Sequence, residues 1–153
     1  GRNGAALGPL EAPWKELVLF SSDGGWAHCD RFPKLCAALA NLPSVVGAPA
    51  AVAAAAGRGD CCRVELLRLD ANSVILPHTA PTNVRLKAHL AIAAPPGDAA
   101  SLTVNGERRA FANGTVLCFD DSFWHEARND HATAPRVILS VDFWKPGLLP
   151  TIT

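Results

Sequence analysis

The chain has 153 residues, 49% of them hydrophobic and 18% charged, with 14 basic side chains balanced by 14 acidic ones at a formal charge of +0. That length suits one domain with a proper core rather than two, and the composition excludes an intrinsically disordered chain. The charge balance excludes nucleic acid and anionic lipid as non-specific partners, and no apolar run reaches the roughly 20 residues of a membrane-spanning helix.

Residues 1–13, rich in Gly, Pro and Ala, read as an irregular lead-in to a single domain over 14–153. The opening Gly1-Arg2-Asn3-Gly4 is not signal-peptide-like and there is no methionine even at position 1, so the chain is expected to be a piece of a longer product. Residues 14–20 alternate as a first strand, which Asp23-Gly24-Gly25 ends. Asp30 is placed to cap a helix carrying Phe32, Leu35, Leu39 and Leu42, whose spacings of three and four share one face. Residues 49–60 are almost all Ala and Gly, with no stripe to anchor a helix, and read as a loop or a short helical excursion. The Arg58-Gly59-Asp60 triplet within them is too short to carry meaning. Of the five cysteines, Cys61 and Cys62 are adjacent and Cys118 lies in an apolar strand, which is not zinc spacing. Cys29 and Cys36 flank a Pro33-containing turn. They either close a small disulfide loop in an oxidising compartment or stay ordinary thiols, and spacing leaves both open.

After Asp60 the pattern changes to short β-favourable runs at 63–69, 73–76, 84–92, 101–104, 108–112, 115–119 and 136–143. Asn105-Gly106 and Asn113-Gly114 suit type I′ hairpin turns, which would join three of these runs into an antiparallel meander. Asn113-Gly114-Thr115 is also a glycosylation sequon, but the turn explains the same letters. Many short strands after one helix, without a βαβ rhythm, predict a mainly β fold: a jelly-roll or cupin-like barrel with the helix packed outside. Within it Arg85, Lys87 and His89 share one strand face while Leu86, Ala88 and Leu90 share the other. Val137, Leu139, Val141 and Phe143 likewise oppose Arg136, Ile138, Ser140 and Asp142.

His78 and His125 both fall at strand ends, where barrel rims place ligands. Neutral imidazole suits Fe(II), and iron oxygenases commonly add one carboxylate to two histidines. A strand would return that carboxylate to the same face two residues after the first histidine, but the residue there is Ala80. Either the metal has two protein ligands, or Asp120, Asp121 or Glu126 supplies a third.

The segments from His78 to Leu90, from Val116 to Glu126 and from Arg136 to Trp144 carry a resemblance to the aspartyl/asparaginyl β-hydroxylases, Fe(II)- and 2-oxoglutarate-dependent oxygenases on a double-stranded β-helix. It covers residues 14–146. The resemblance implies that this is a catalytic fragment in which His78 and His125 bind iron and Asp121 supports the site by holding water. It implies that Arg136 grips the far carboxylate of 2-oxoglutarate, that Lys87, Ala88 and His89 lie on the cosubstrate strand, that Trp14 touches the cosubstrate region, and that Arg85 lines the substrate side. It also implies that Cys29 and Cys36 are bridged, which would place the protein in the endoplasmic reticulum or secretory lumen. Ala80 matches the family's animal members in omitting the third carboxylate.

Two positions depart from the family pattern: Lys87 stands where arginine is usual, and Leu67 where the animal enzymes have a serine that binds 2-oxoglutarate. Restoring Lys87→Arg is expected to regain about 1 kcal/mol of cosubstrate binding. The implied reaction consumes 2-oxoglutarate and dioxygen, releases succinate and CO2, and β-hydroxylates Asp or Asn residues of a peptide or protein. The alternatives are hydroxylation of a free amino acid derivative or a lipid acyl chain, or a non-catalytic cupin-type binding module.

Overall fold

The computed structural model describes residues 14–22, 24–42 and 62–146. The expected lead-in at 1–13, Asp23 of the first strand break, the Ala/Gly stretch at 49–60 with its Arg58-Gly59-Asp60 triplet, Cys61, and residues 147–153 of the expected domain lie outside them. The described elements are β1 (Trp14–Ser21), β2 (Gly25–Trp26), α1 (Pro33–Ala40), β3 (Arg63–Leu69), β4 (Ser73–His78), β5 (Arg85–Ala93), β6 (Ala100–Val104), β7 (Glu107–Ala110), β8 (Val116–Phe119), β9 (His125–Asn129) and β10 (Arg136–Trp144). They form a six-stranded sheet in the order β2-β1-β3-β10-β5-β8 and a four-stranded sheet in the order β4-β9-β6-β7, with every strand pair antiparallel.

The period of two along β10 decides how the large sheet is used. Leu139 joins Leu19, Phe20, Val64 and Trp144 in an outer core, against which Val141, Phe143, Leu66, Leu90 and the helix residues Leu35 and Leu39 pack. Ile138, on the opposite face, joins Ala91, Ala100, Leu102, Phe111 and Ala127 in an inner core between the sheets. Each fully buried Leu, Ile or Phe contributes about 1.5–3 kcal/mol. The inner core fills only part of the inter-sheet space, and the inward side chains of Glu65, His89, Arg136, Ser140 and Asp142 are buried beyond it.

Two expectations about the helix are corrected, and the implied disulfide beside it is present. The helix begins at Pro33 after Phe32, with no side-chain cap, so Asp30 does not cap it. The bridge between Cys29 and Cys36, with Cα atoms 5.8 Å apart, ties the preceding turn to the helix. Leu42, beyond the helix end, is exposed, while Phe32, Leu35 and Leu39 pack as expected.

Asn105 and Gly106 both take positive φ and join β6 to β7 as a type I′ hairpin. At Asn113-Gly114, by contrast, only Gly114 does, and the turn closed by Thr115 N–H on the Ala112 carbonyl (3.0 Å) carries the chain to the other sheet. The three strands are therefore not a meander. Phe111, 1% exposed, is drawn into the inner core just before the turn, and the Asn113 amide oxygen accepts the Ala94 N–H at 2.6 Å, fixing the corner. The expected runs also lacked β2 and β9.

Candidate active site

His78 closes β4 and His125 opens β9, and the two are direct partners across the antiparallel pair. Their ring centroids are 4.2 Å apart with planes at 53°. Each ring bonds back to its own strand: His78 Nδ1 lies 2.8 Å from the Leu76 carbonyl and His125 Nδ1 lies 2.9 Å from that of Phe123. A carbonyl only accepts, so both Nδ1 atoms carry a hydrogen, and in the neutral ring the lone pair then sits on Nε2, the tautomer a metal ligand needs. Burial, with the nearby His78 and Lys87, pulls His125 below its ordinary value against the opposing Phe123 bond and Asp121 charge, which keeps the ring neutral.

The segments carrying the two histidines are also joined through the backbone, by Ala80 N–H donating to the Asp121 carbonyl at 2.7 Å. The Asp121 carboxylate is buried. Its Oδ2 receives Arg85 Nε at 3.1 Å and Nη2 at 3.0 Å, and its Oδ1 has no hydrogen-bond partner among the described residues. Arg85 Nη1 reaches Asp142 Oδ2 at 3.0 Å, and Lys87 Nζ lies 2.5 Å from Asp142 Oδ1 and 4.0 Å from Asp121 Oδ2. Neither alternative carboxylate joins the histidines. Asp120 bonds Ser122 and Lys145, and Glu126, next to His125 in β9, points to the other sheet face. Among the described residues no three His, Cys, Asp or Glu side chains are grouped so as to hold a metal.

A cavity of about 460 Å³ between the sheets is lined by His78, His125, His89, Lys87, Arg136 and Trp14, with Arg63, Glu65 and Leu67 on the β3 wall. Arg136 is 1% exposed; its Nε and Nη1 have no hydrogen-bond partner among the described residues, and its guanidinium lies 5.0 Å over the Phe111 ring. Burial alone pulls its pKa down to about 10, so it stays cationic at neutral pH. The site that holds it is built from β9. The Asn129 amide group donates to the carbonyls of Leu69, Asp70 and Ala134, tying the end of β3 and the approach to β10 together.

His89 lies edge-on to Phe119 and stacks towards Phe111, and neither of its ring nitrogens has a partner among the described residues. Burial, then Lys87, Arg136 and His125, holds its pKa well below the ordinary value.

The structure thus gathers His78, His125, Trp14, Lys87, His89 and Arg136 around one cavity. It does not bring Ala88 there, because strand alternation turns that side chain to the other face of β5. Arg85 is also absent from the lining, because two buried carboxylates hold its guanidinium beside the cavity. Residues that the sequence did not single out are Asp142, Glu65 and Phe111. The alternation of β10 put Asp142 on the inward face but gave no sign of its partners, and nothing local marked Phe111 as the ring under Arg136.

A family model described as aspartyl/asparaginyl beta-hydroxylase matches residues 2–146. The human aspartyl/asparaginyl beta-hydroxylase is 34% identical over 122 residues, 80% of this chain and 14% of that protein. Aspartate beta-hydroxylase domain-containing protein 2 is 33% identical over 124 residues in Xenopus tropicalis, covering 80% of this chain and 30% of that protein. In mouse it is 40% identical over 82 residues, covering 52% and 23%. The chain therefore spans less than a third of the length of these relatives. Among solved structures, a cupin protein from Bacteroides fragilis aligns over 57% of this chain and 69% of its own at 13% identity and a TM-score of 0.45. The chain belongs to the aspartyl/asparaginyl β-hydroxylase family.

Proposed function

We propose that this chain is an Fe(II)- and 2-oxoglutarate-dependent hydroxylase acting on Asp or Asn side chains of a peptide or protein. The observation that carries the reading is one cavity lined both by two imidazoles whose Nδ1 atoms bond their own strands' carbonyls and by a buried guanidinium without an anion among the described residues. The donors fit the groups: imidazole nitrogen suits Fe(II), and a guanidinium fork suits a carboxylate. His78 and His125 would hold the metal, whose bound form, with 2-oxoglutarate and dioxygen, supplies the oxidising power for hydroxylation and leaves succinate and CO2.

The other roles belong to the chain's own residues. Arg136 binds the far carboxylate of the cosubstrate, in a pocket where Phe111 and Phe119 exclude water and strengthen the pairing. His89, neutral, adds one N–H donor. The buried Asp121 Oδ1 stands ready to accept a hydrogen bond from a water beside His125. The bridged Cys29 and Cys36 support an oxidising lumen as the place of action.

A second reading, a non-catalytic binding module of the same family, draws on the two-histidine donor set and on Leu67, which brings no hydroxyl to the cavity wall. Anaerobic Fe(II) titration followed by succinate release on admitting dioxygen separates the two. The wild type should bind one Fe(II) per chain and release succinate, and His125→Ala should do neither. Equal succinate from both proteins would hand the site to the binding-module reading.

A further inference from the structure

Three cations line the cavity among the described residues: Arg63, Lys87 and Arg136. Lys87 is matched by Asp142, and Arg136 lies in the buried part of the cavity. Arg63 is different. It opens β3 one residue before Val64, where the pairing with β10 ends, and shares its strand face with Glu65. Arg63 lines the same wall as Glu65 and Leu67, in the cavity that also holds the histidine pair.

Its side chain is 44% exposed, and its Nε lies 3.0 Å from Oε1 of Glu65, whose side chain is 8% exposed. Arg85 shows the complete form of such a contact: Nε and Nη2 on one carboxylate, Nη1 on a second. Arg63 has an ion-pair contact to one carboxylate through Nε alone and, among the described residues, no second. Glu16, opposite Leu67, lies further along the wall.

We propose that Arg63, held in place by Glu65, takes the side-chain carboxylate of the substrate, which makes the β3 wall the surface that selects an acidic side chain over its amide. A guanidinium edge pairs with both oxygens of a carboxylate, whereas an amide presents one acceptor and turns two N–H groups against the cation. The assignment rests on the hydroxylase reading in reserving Arg136 for 2-oxoglutarate.

The test is an NMR titration of the protein loaded with Zn(II), a diamagnetic stand-in for Fe(II), and saturated with 2-oxoglutarate, using N-acetyl-L-aspartate amide and N-acetyl-L-asparagine amide as probes. The wild type should bind the aspartate probe at least about tenfold more tightly, the gap expected when a charged pair is exchanged for a neutral one. Arg63→Met should abolish that preference and Arg63→Lys should keep part of it, with 2-oxoglutarate affinity unchanged in both. Glu65→Gln should weaken the aspartate probe alone.

The proposal is overturned if the preference survives in Arg63→Met, if the wild type has none, or if Arg63→Met weakens 2-oxoglutarate as much as the probe. Failure of 2-oxoglutarate to bind the wild type would sink the oxygenase reading and this assignment together. Loss of the predicted preference with 2-oxoglutarate binding intact would sink the assignment alone.

Discussion

Arg85 and Arg136 are inward-facing guanidiniums on adjacent strands of the large sheet, and they differ in their company. Arg85 bridges Asp121 and Asp142, each about 1% exposed, and Lys87 completes a four-charge cluster. Arg136 is buried as deeply as those carboxylates, yet among the described residues its Nε and Nη1 have no hydrogen-bond partner and the Phe111 ring lies beneath its guanidinium. A buried charge with matched partners is part of how the chain folds, since removing one member strands the others. A buried charge without a partner costs stability in the ligand-free protein and is offset when an anion binds. The difference in partners marks Arg85 as structural and, under the proposed function, Arg136 as the ligand-binding group.

The largest expected effect breaks the paired side of this contrast. Arg85→Met leaves Asp121 and Asp142 buried with only Lys87 between them, and should destabilise the protein by about 3–5 kcal/mol in chemical denaturation. Arg136→Met does the reverse, since it removes a charge that has no counter-ion among the described residues. The ligand-free protein should be no less stable than the wild type, while 2-oxoglutarate binding weakens by about 1.5–3 kcal/mol, read by titration. If both variants unfolded alike, Arg136 would be structural too, and the distinction would fail.

Much of this arrangement was legible in the sequence because strand alternation is a local property. The inward faces of β5 and β10, and with them Lys87, His89, Arg136 and Asp142, follow from a period of two. What was not legible depends on partners distant in the chain. Arg85 read as a substrate-side residue because nothing near it announces Asp121, 36 positions away, or Asp142. The Asn113-Gly114 turn read as a hairpin because the letters permit one; the burial of Phe111, a tertiary fact, sends the chain to the other sheet. β9 escaped notice because its Ala127 meets a core built mainly from other strands.

Acid sharpens the contrast through His89, which feels the Arg136 charge. Burial, Lys87, Arg136 and His125 hold its folded-state pKa well below the ordinary 6.5. As pH falls below that value the unfolded chain takes up a proton that the native state refuses, so stability present at neutral pH is lost towards acid. Towards pH 5.5 the loss attributable to this ring should be on the order of 1 kcal/mol. Denaturation at pH 7 and pH 5.5 should show that decline in the wild type in excess of His89→Gln. In Arg136→Met the excess should shrink, because one of the charges opposing protonation is gone. An identical pH dependence in wild type and His89→Gln would mean that the ring is protonated in the native state.

The smallest expected effect tests whether Arg136 acts alone on the far carboxylate. Taken as a strand position, Lys87 points to a cosubstrate contact that arginine would improve by about 1 kcal/mol. In the folded chain its ammonium lies 2.5 Å from Asp142 Oδ1 and near Asp121, so its charge is already matched before any ligand arrives. A guanidinium at this position would meet the same two carboxylates. Lys87→Arg should therefore leave the 2-oxoglutarate Kd within about twofold, a change of roughly 0.4 kcal/mol or less. A tenfold tightening would show that the side chain leaves Asp142 for the ligand, and the division between a closed charge cluster and a single open guanidinium would have to be redrawn with Lys87 on the open side.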